Sequence, residues 1–180
     1  MSCTDGGAAI PTAATSATAP VLPTPSPSPT TEPSQDATTP PDRPAAMATP
    51  DADGAAAAAA YFIALYPYVY ATGDTRAWDE LAAPACVFCS SARDGASSIH
   101  TRGGRVEGGF ITVESAEGTE IDAANWYSAT VVATEAPSTE YDANGTVLEE
   151  SQGGRYRFAI ALTFTVDHWV VDAVDVGPVQ

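Results

Sequence analysis

Tyr61-Phe62-Ile63-Ala64-Leu65-Tyr66-Pro67-Tyr68-Val69-Tyr70, preceded by the alanine run Ala55 to Ala60, is the stretch on which the fold turns. Alanine is the best helix former because it loses no side-chain entropy in a helix. Asp51 and Asp53 stand where N-caps belong, and Gly73 where a left-handed residue ends a helix. Phe62, Leu65, Tyr66 and Val69 follow i, i+3, i+4, i+7 spacing, and Tyr61, Tyr68 and Tyr70 widen that stripe. A helix apolar around so much of its circumference must be buried on most sides. Pro67 removes a backbone donor and is expected to kink it at about Ile63.

Two shorter helices are expected next. Asp74 or Thr75 caps one through Trp78 and Leu81, closed by Pro84, and another runs from near Cys86 towards Ile99 until Gly103-Gly104. The hydrophobic period then changes to two. Residues 106–115, 124–135, 155–166 and 169–176 read as strands, and Phe158, Ile160, Leu162 and Phe164 give the clearest inward face. Asp142-Ala143-Asn144-Gly145 signals a hairpin turn, and Val166-Asp167-His168 a second one. Helices first and antiparallel strands afterwards make an α+β domain. A long, nearly all-apolar first helix suits a strongly curved antiparallel sheet wrapped around it. That is the cone of nuclear transport factor 2-like and cystatin-like domains; a flatter helix-on-sheet sandwich fits the same periodicity.

Upstream, residues 1–50 are dominated by Ala, Pro, Ser and Thr, with runs such as Pro23-Thr24-Pro25-Ser26-Pro27. Beside Ile10, only Val21, Leu22 and Met47 are sizeable apolar residues between positions 10 and 50. Such a segment buries too little surface to offset the entropy of ordering, so it is expected to be a disordered stalk ahead of one domain at 51–180. Cys3 at its head reads as a lipid attachment point. Only Met1 and Ser2 precede it, so the basic start and apolar run of a lipoprotein signal are expected upstream of Met1. These features together predict an extracytoplasmic domain anchored by lipid to the outer face of the cell membrane. No stretch reads as apolar enough for long enough to span a bilayer; Ala55 to Tyr70 comes nearest but is short and holds Pro67.

Asp and Glu number 23 against 7 Arg, with no lysine, for a net charge of −16. That balance argues against nucleic acid or an anionic membrane surface as a partner and leaves basic partners, divalent cations or simple solubility open; the expected ligand is an unknown protein or small molecule.

Three groups of residues carry the order of a known family. Tyr68-Val69-Tyr70-Ala71-Thr72-Gly73-Asp74-Thr75, then Pro84-Ala85-Cys86-Val87-Phe88-Cys89, then Gly104-Arg105-Val106-Glu107-Gly108-Gly109 resemble the DUF6318 family over residues 52 to 176. Those proteins are uncharacterised lipoproteins of high-GC Gram-positive bacteria. The resemblance implies a membrane-tethered extracytoplasmic domain and supplies no catalytic residues.

Among candidate sites, Cys86-Val87-Phe88-Cys89 is the sharpest. A redox pair would follow a strand in a βαβ unit, which this chain lacks, and the bulky apolar Val-Phe insert favours a packed disulfide. Free thiols or a metal are the other readings. His100 and His168 are isolated from any second Cys/His pair, so no metal or cofactor is expected. If the cone holds a pocket, Tyr61, Tyr66 and Tyr70 would line it. Asp172, which by alternation shares a face with Val170, Val174 and Val176, would join them. The leading reading is a non-catalytic accessory or binding domain. A Tyr/Asp acid–base enzyme or small-ligand binder comes next, and a thiol–disulfide protein after that.

Overall fold

The computed structural model describes residues 37–179; Cys3 and most of the expected stalk lie outside them. A short 3-10 turn at Ala45–Ala48 leads into three helices, α1 (Ala52–Thr72), α2 (Arg76–Asp79) and α3 (Val87–Thr101). Seven strands follow: β1 (Arg105–Gly108), β2 (Ile111–Asp122), β3 (Trp126–Glu135), β4 (Ser138–Tyr141), β5 (Val147–Ser151), β6 (Gly154–Phe164) and β7 (Trp169–Pro178). All ladders are antiparallel, in a four-stranded sheet β2-β3-β6-β7 and a three-stranded sheet β1-β4-β5.

Local signals set the helix ends. Asp51 caps α1 by accepting a hydrogen bond from the Gly54 amide at 2.8 Å, and Gly73 ends it at φ 72°. The Thr72-Gly73-Asp74 turn then starts α2. Asp74, not the Thr75 side chain, accepts from the Arg76 amide and also takes the Tyr68 hydroxyl and the Arg76 guanidinium.

The strand expected over 106–115 is two strands. Gly108 and Gly109 adopt φ of 83° and 69°, which a side chain would strain, and a Cβ on Gly108 would collide with the Pro137 carbonyl. The chain bends there, held by Gly109 N–H to Pro137 O at 3.0 Å and Ala136 N–H to Phe110 O at 2.8 Å. β1–β4 therefore continues β2–β3 around a corner, and one long hairpin contributes to both sheets.

α1 crosses β2 and β3. At the crossing stands Gly118, where any Cβ would run into the Ala52 carbonyl. Aromatic rings fill much of the space between α1 and β6. Phe62 stacks on Trp78 with centroids 3.9 Å apart, and Phe88 bridges Tyr66 and Phe158 at 6.1 and 6.5 Å. Trp78 and Trp169 are fully buried, and each indole N–H finds a backbone carbonyl, Cys89 O and Met47 O respectively.

Three expectations change. The packed unit begins before Asp51, because Met47 is buried and the Pro50 carbonyl accepts the Tyr127 hydroxyl. α1, at 21 residues, is long and apolar enough by length and composition to cross a bilayer, against the reading of Ala55 to Tyr70 as too short. Its Ala55, Ala58, Phe62, Leu65 and Val69 are nevertheless at most 1% exposed, as in a core helix. Finally, Asp172 does not share the inward face of β7. The register slips between Ala161↔Ala173 and Leu162↔Val171, which puts Trp169, Val171, Val174 and Val176 opposite the inward residues of β6. Asp172 instead accepts a 2.7 Å hydrogen bond from Thr163 on the other face.

Candidate functional site

A cleft of about 480 Å³ opens where α1 and α3 approach the small sheet. α1 contributes Tyr66, Pro67 and Tyr70, and α3 contributes Gly95, Ser98, Ile99 and Arg102. The small sheet contributes Val106, Ser138, Glu140, Glu149 and Ser151. Gly95 makes room for Tyr70, since a Cβ there would lie 2.9 Å from the Tyr70 oxygen. His100 Nε2 lies 2.9 Å from the Tyr70 carbonyl and satisfies one of the open carbonyls at the end of α1. Arg102 pairs with Glu140 at 3.1 Å and ties the end of α3 to β4.

A second chamber of about 110 Å³ is apolar, lined by Ile63, Phe88, Ile111, Tyr156, Phe158 and Val176. It shares Tyr66 and Glu135 with the cleft, so these two side chains form the partition. Glu135 was not among the residues expected from sequence. Its signal was present: Tyr127, Ala129, Val131 and Ala133 are the buried positions of β3, and Glu135 is the next residue in that alternation. A carboxylate closing an otherwise apolar strand face is that signal.

The environment shifts both partition groups. Burial, reinforced by a hydrogen bond with the Tyr70 side chain, pushes the Tyr66 phenol far above the ordinary tyrosine range. Burial also pushes the Glu135 carboxyl up. Tyr66 is thus a hydroxyl that stays protonated, and Glu135 a carboxyl that resists ionisation.

The remaining expected site residues divide. Tyr66 and Tyr70, whose rings are 4.7 Å apart, meet in the cleft. Tyr61 lines neither chamber; burial raises its phenol, and it feels the charges of Arg43 and Glu80. Asp172 lines neither chamber. The Cys86 and Cys89 sulfurs are 1.98 Å apart, at disulfide distance, and both residues are 1% exposed. A thiol–disulfide catalyst presents a sulfur to solvent, and neither of these does. Among the described residues no group of three or more His, Cys, Asp or Glu is arranged to hold a metal ion.

No curated protein matches the chain in sequence. Among solved structures it is similar to the intermembrane space region of the chloroplast protein ARC6. The identity is 10%, over 72% of this chain and 98% of that one, with a TM-score of 0.55. At that identity the likeness is one of fold. It also aligns with an uncharacterised cystatin-like-fold protein of Caulobacter vibrioides at 12% identity, over 71% of this chain and 91% of that one, TM-score 0.44. A family described only as being of unknown function, DUF6318, matches residues 24–175, and the chain belongs to it.

Proposed function

We propose that this chain is a non-catalytic binding domain, tethered to the outer face of the cell membrane by lipid on Cys3, whose ligand occupies the two-chambered cleft. The observation that carries the reading is the partition of Tyr66 and Glu135 between a polar and an apolar space. Much of the interior is filled by Trp78, Phe62, Tyr127 and Trp169, so the space left beside these two residues stands out. Mixed apolar lining with a few convergent polar groups is the usual composition of a small-molecule site.

Two experiments test it. The gene with its native upstream DNA is expressed in a high-GC Gram-positive host fed an alkyne-tagged palmitate. The protein takes up label, and Cys3→Ala does not; an unlabelled wild type would refute the tether. A fragment library is screened by NMR on the full chain. Hits shift the amides of residues 63–70 and 135, and Val176→Trp, which fills the chamber mouth, removes them. A screen whose hits ignore this substitution would refute the site.

An acid–base enzyme is the second reading, favoured by the convergence of two groups with raised pKa at one cavity. Under it, Glu135 would carry the proton and Tyr66 would donate a hydrogen bond. Asp172 has no part.

A further inference from the structure

The chain has no lysine, and its seven arginines are spoken for or turned away from the cleft's partition. Arg43 pairs with Glu80, Arg76 with Asp74, Arg93 with Asp79 and Asp94, and Arg105 with Glu107. Arg155 pairs with Glu114, and Arg102 with Glu140 across the cleft itself. Arg157 is exposed, in the outward alternation of β6 between the inward Tyr156 and Phe158. No hydrogen bond or ion pair from the described residues engages the Glu135 side chain. A half-buried carboxylate is thus held at the junction of two spaces with no internal counter-charge.

Half-burial strips the Glu135 carboxylate of part of its hydration while its oxygens still reach solvent at the cleft, so a positive group arriving there would stabilise it. Here the backbone forces the position: the inward alternation of β3 carries Glu135 to the cavity, and the turn after it fixes the strand end. A Cβ on Gly153, at φ 66°, would collide with the Glu135 carbonyl, so the two strand ends are clasped there.

We propose that the cleft binds a small organic ammonium, its charged nitrogen on the Glu135 carboxylate and its compact apolar group in the chamber lined by Ile63, Phe88, Ile111 and Phe158. This rests on the cleft being a ligand site and adds the class of ligand. The size follows from the chamber. An apolar cavity of about 150 Å³ holds benzene, so one of about 110 Å³ takes a branched group of roughly four or five carbons. A carboxylic acid of the same shape is excluded, because it would set like charges together at low dielectric.

The probes are 3-methylbutylamine, 3-methylbutan-1-ol and 3-methylbutanoate, titrated by NMR into the full chain at pH 7.5. The amine binds at least about tenfold more tightly than the alcohol, because it adds a full opposite charge to the hydrogen bond that the alcohol can also give the carboxylate, and the acid does not bind. Glu135→Gln brings the amine down to the alcohol's affinity and changes the alcohol far less than the amine. Val176→Trp weakens amine and alcohol together. Wild-type affinity for the amine falls as pH drops through the raised Glu135 pKa, and Glu135→Gln lacks that dependence. Tyr66, Tyr70, Tyr156, Glu149 and the Arg102–Glu140 pair also face this space, and the variant separates their titration from that of Glu135. Equal binding of amine and alcohol, or an amine preference that survives Glu135→Gln, overturns the ammonium class while the cleft remains a ligand site. Failure of all three probes in a protein whose cleft still takes library fragments overturns the class as well. Failure of probes and fragments alike overturns the underlying reading.

Discussion

Tyr66 and Glu135 reach the same partition from opposite layers of the fold, one from the middle of α1 and the other from the last position of β3. Each is pushed towards its neutral form by burial. The relationship exists because α1 crosses β2 and β3 at Gly118, which sets the helix directly over the inward face that Glu135 ends.

Glu135 sets a pH dependence of stability. Its folded pKa lies above its unfolded value, so the fold is favoured by this group at low pH and loses that contribution as pH rises through the raised pKa. Glu135→Gln, which is neutral at every pH, should therefore melt at a higher temperature than wild type at pH 8 and at the same temperature at pH 4. Thermal melts at the two pH values check it. A variant less stable than wild type at pH 8 would mean that the carboxylate has a partner in the fold.

Gly118→Ala should be costly. The added methyl meets backbone, the Ala52 carbonyl, which cannot turn aside as a side chain can. Separating α1 from β2 should cost about 1–3 kcal/mol, the range for overpacked sites. Urea denaturation measures it, and a loss under about 0.5 kcal/mol would place the helix elsewhere.

Cys86→Ser with Cys89→Ser should lower stability by about 2 kcal/mol, the chain-entropy contribution of so short a loop. The fold should survive, because Trp78 still donates to the Cys89 carbonyl and Phe88 still bridges α1 to β6. Circular dichroism melts of the double variant, with alkylation of wild type under non-reducing conditions, check both halves. Wild type that alkylates freely at both positions contradicts the disulfide.

Leu65→Ala and Ile160→Ala should each cost about 2–5 kcal/mol, as truncations of fully buried aliphatic residues do. Val166→Ser, at the exposed β6–β7 turn, should change stability by less than about 0.5 kcal/mol. Thr163→Ala should fall between them, near 1 kcal/mol, because Thr163 holds Asp172 across the outer face. Urea melts of the four variants rank them.

Sequence by itself determined what depends on neighbours along the chain. Asp51, Gly73 and the alanine run set α1, the change of period marked where strands begin, and the alternation of Phe158, Ile160, Leu162 and Phe164 named one wall of the core. These signals act over one or two turns or a few strand positions, where propensity and capping dominate. Asp172 shows where that reasoning stops. Alternation put it inward, and a single register slip opposite Ala161 and Leu162, invisible in the β7 sequence, turned it to the other face. Met47 shows the same limit from the other side. Nothing near it signals burial; it is packed in the core, and its carbonyl accepts the indole N–H of Trp169, far along the chain. Glu135 lay in plain view as the end of an apolar alternation, yet only the crossing of α1 over the sheet gave it Tyr66 as a neighbour and a cavity to face. Local order is written in propensities; the site depends on contacts between residues about seventy positions apart, and those are fixed only when the layers pack.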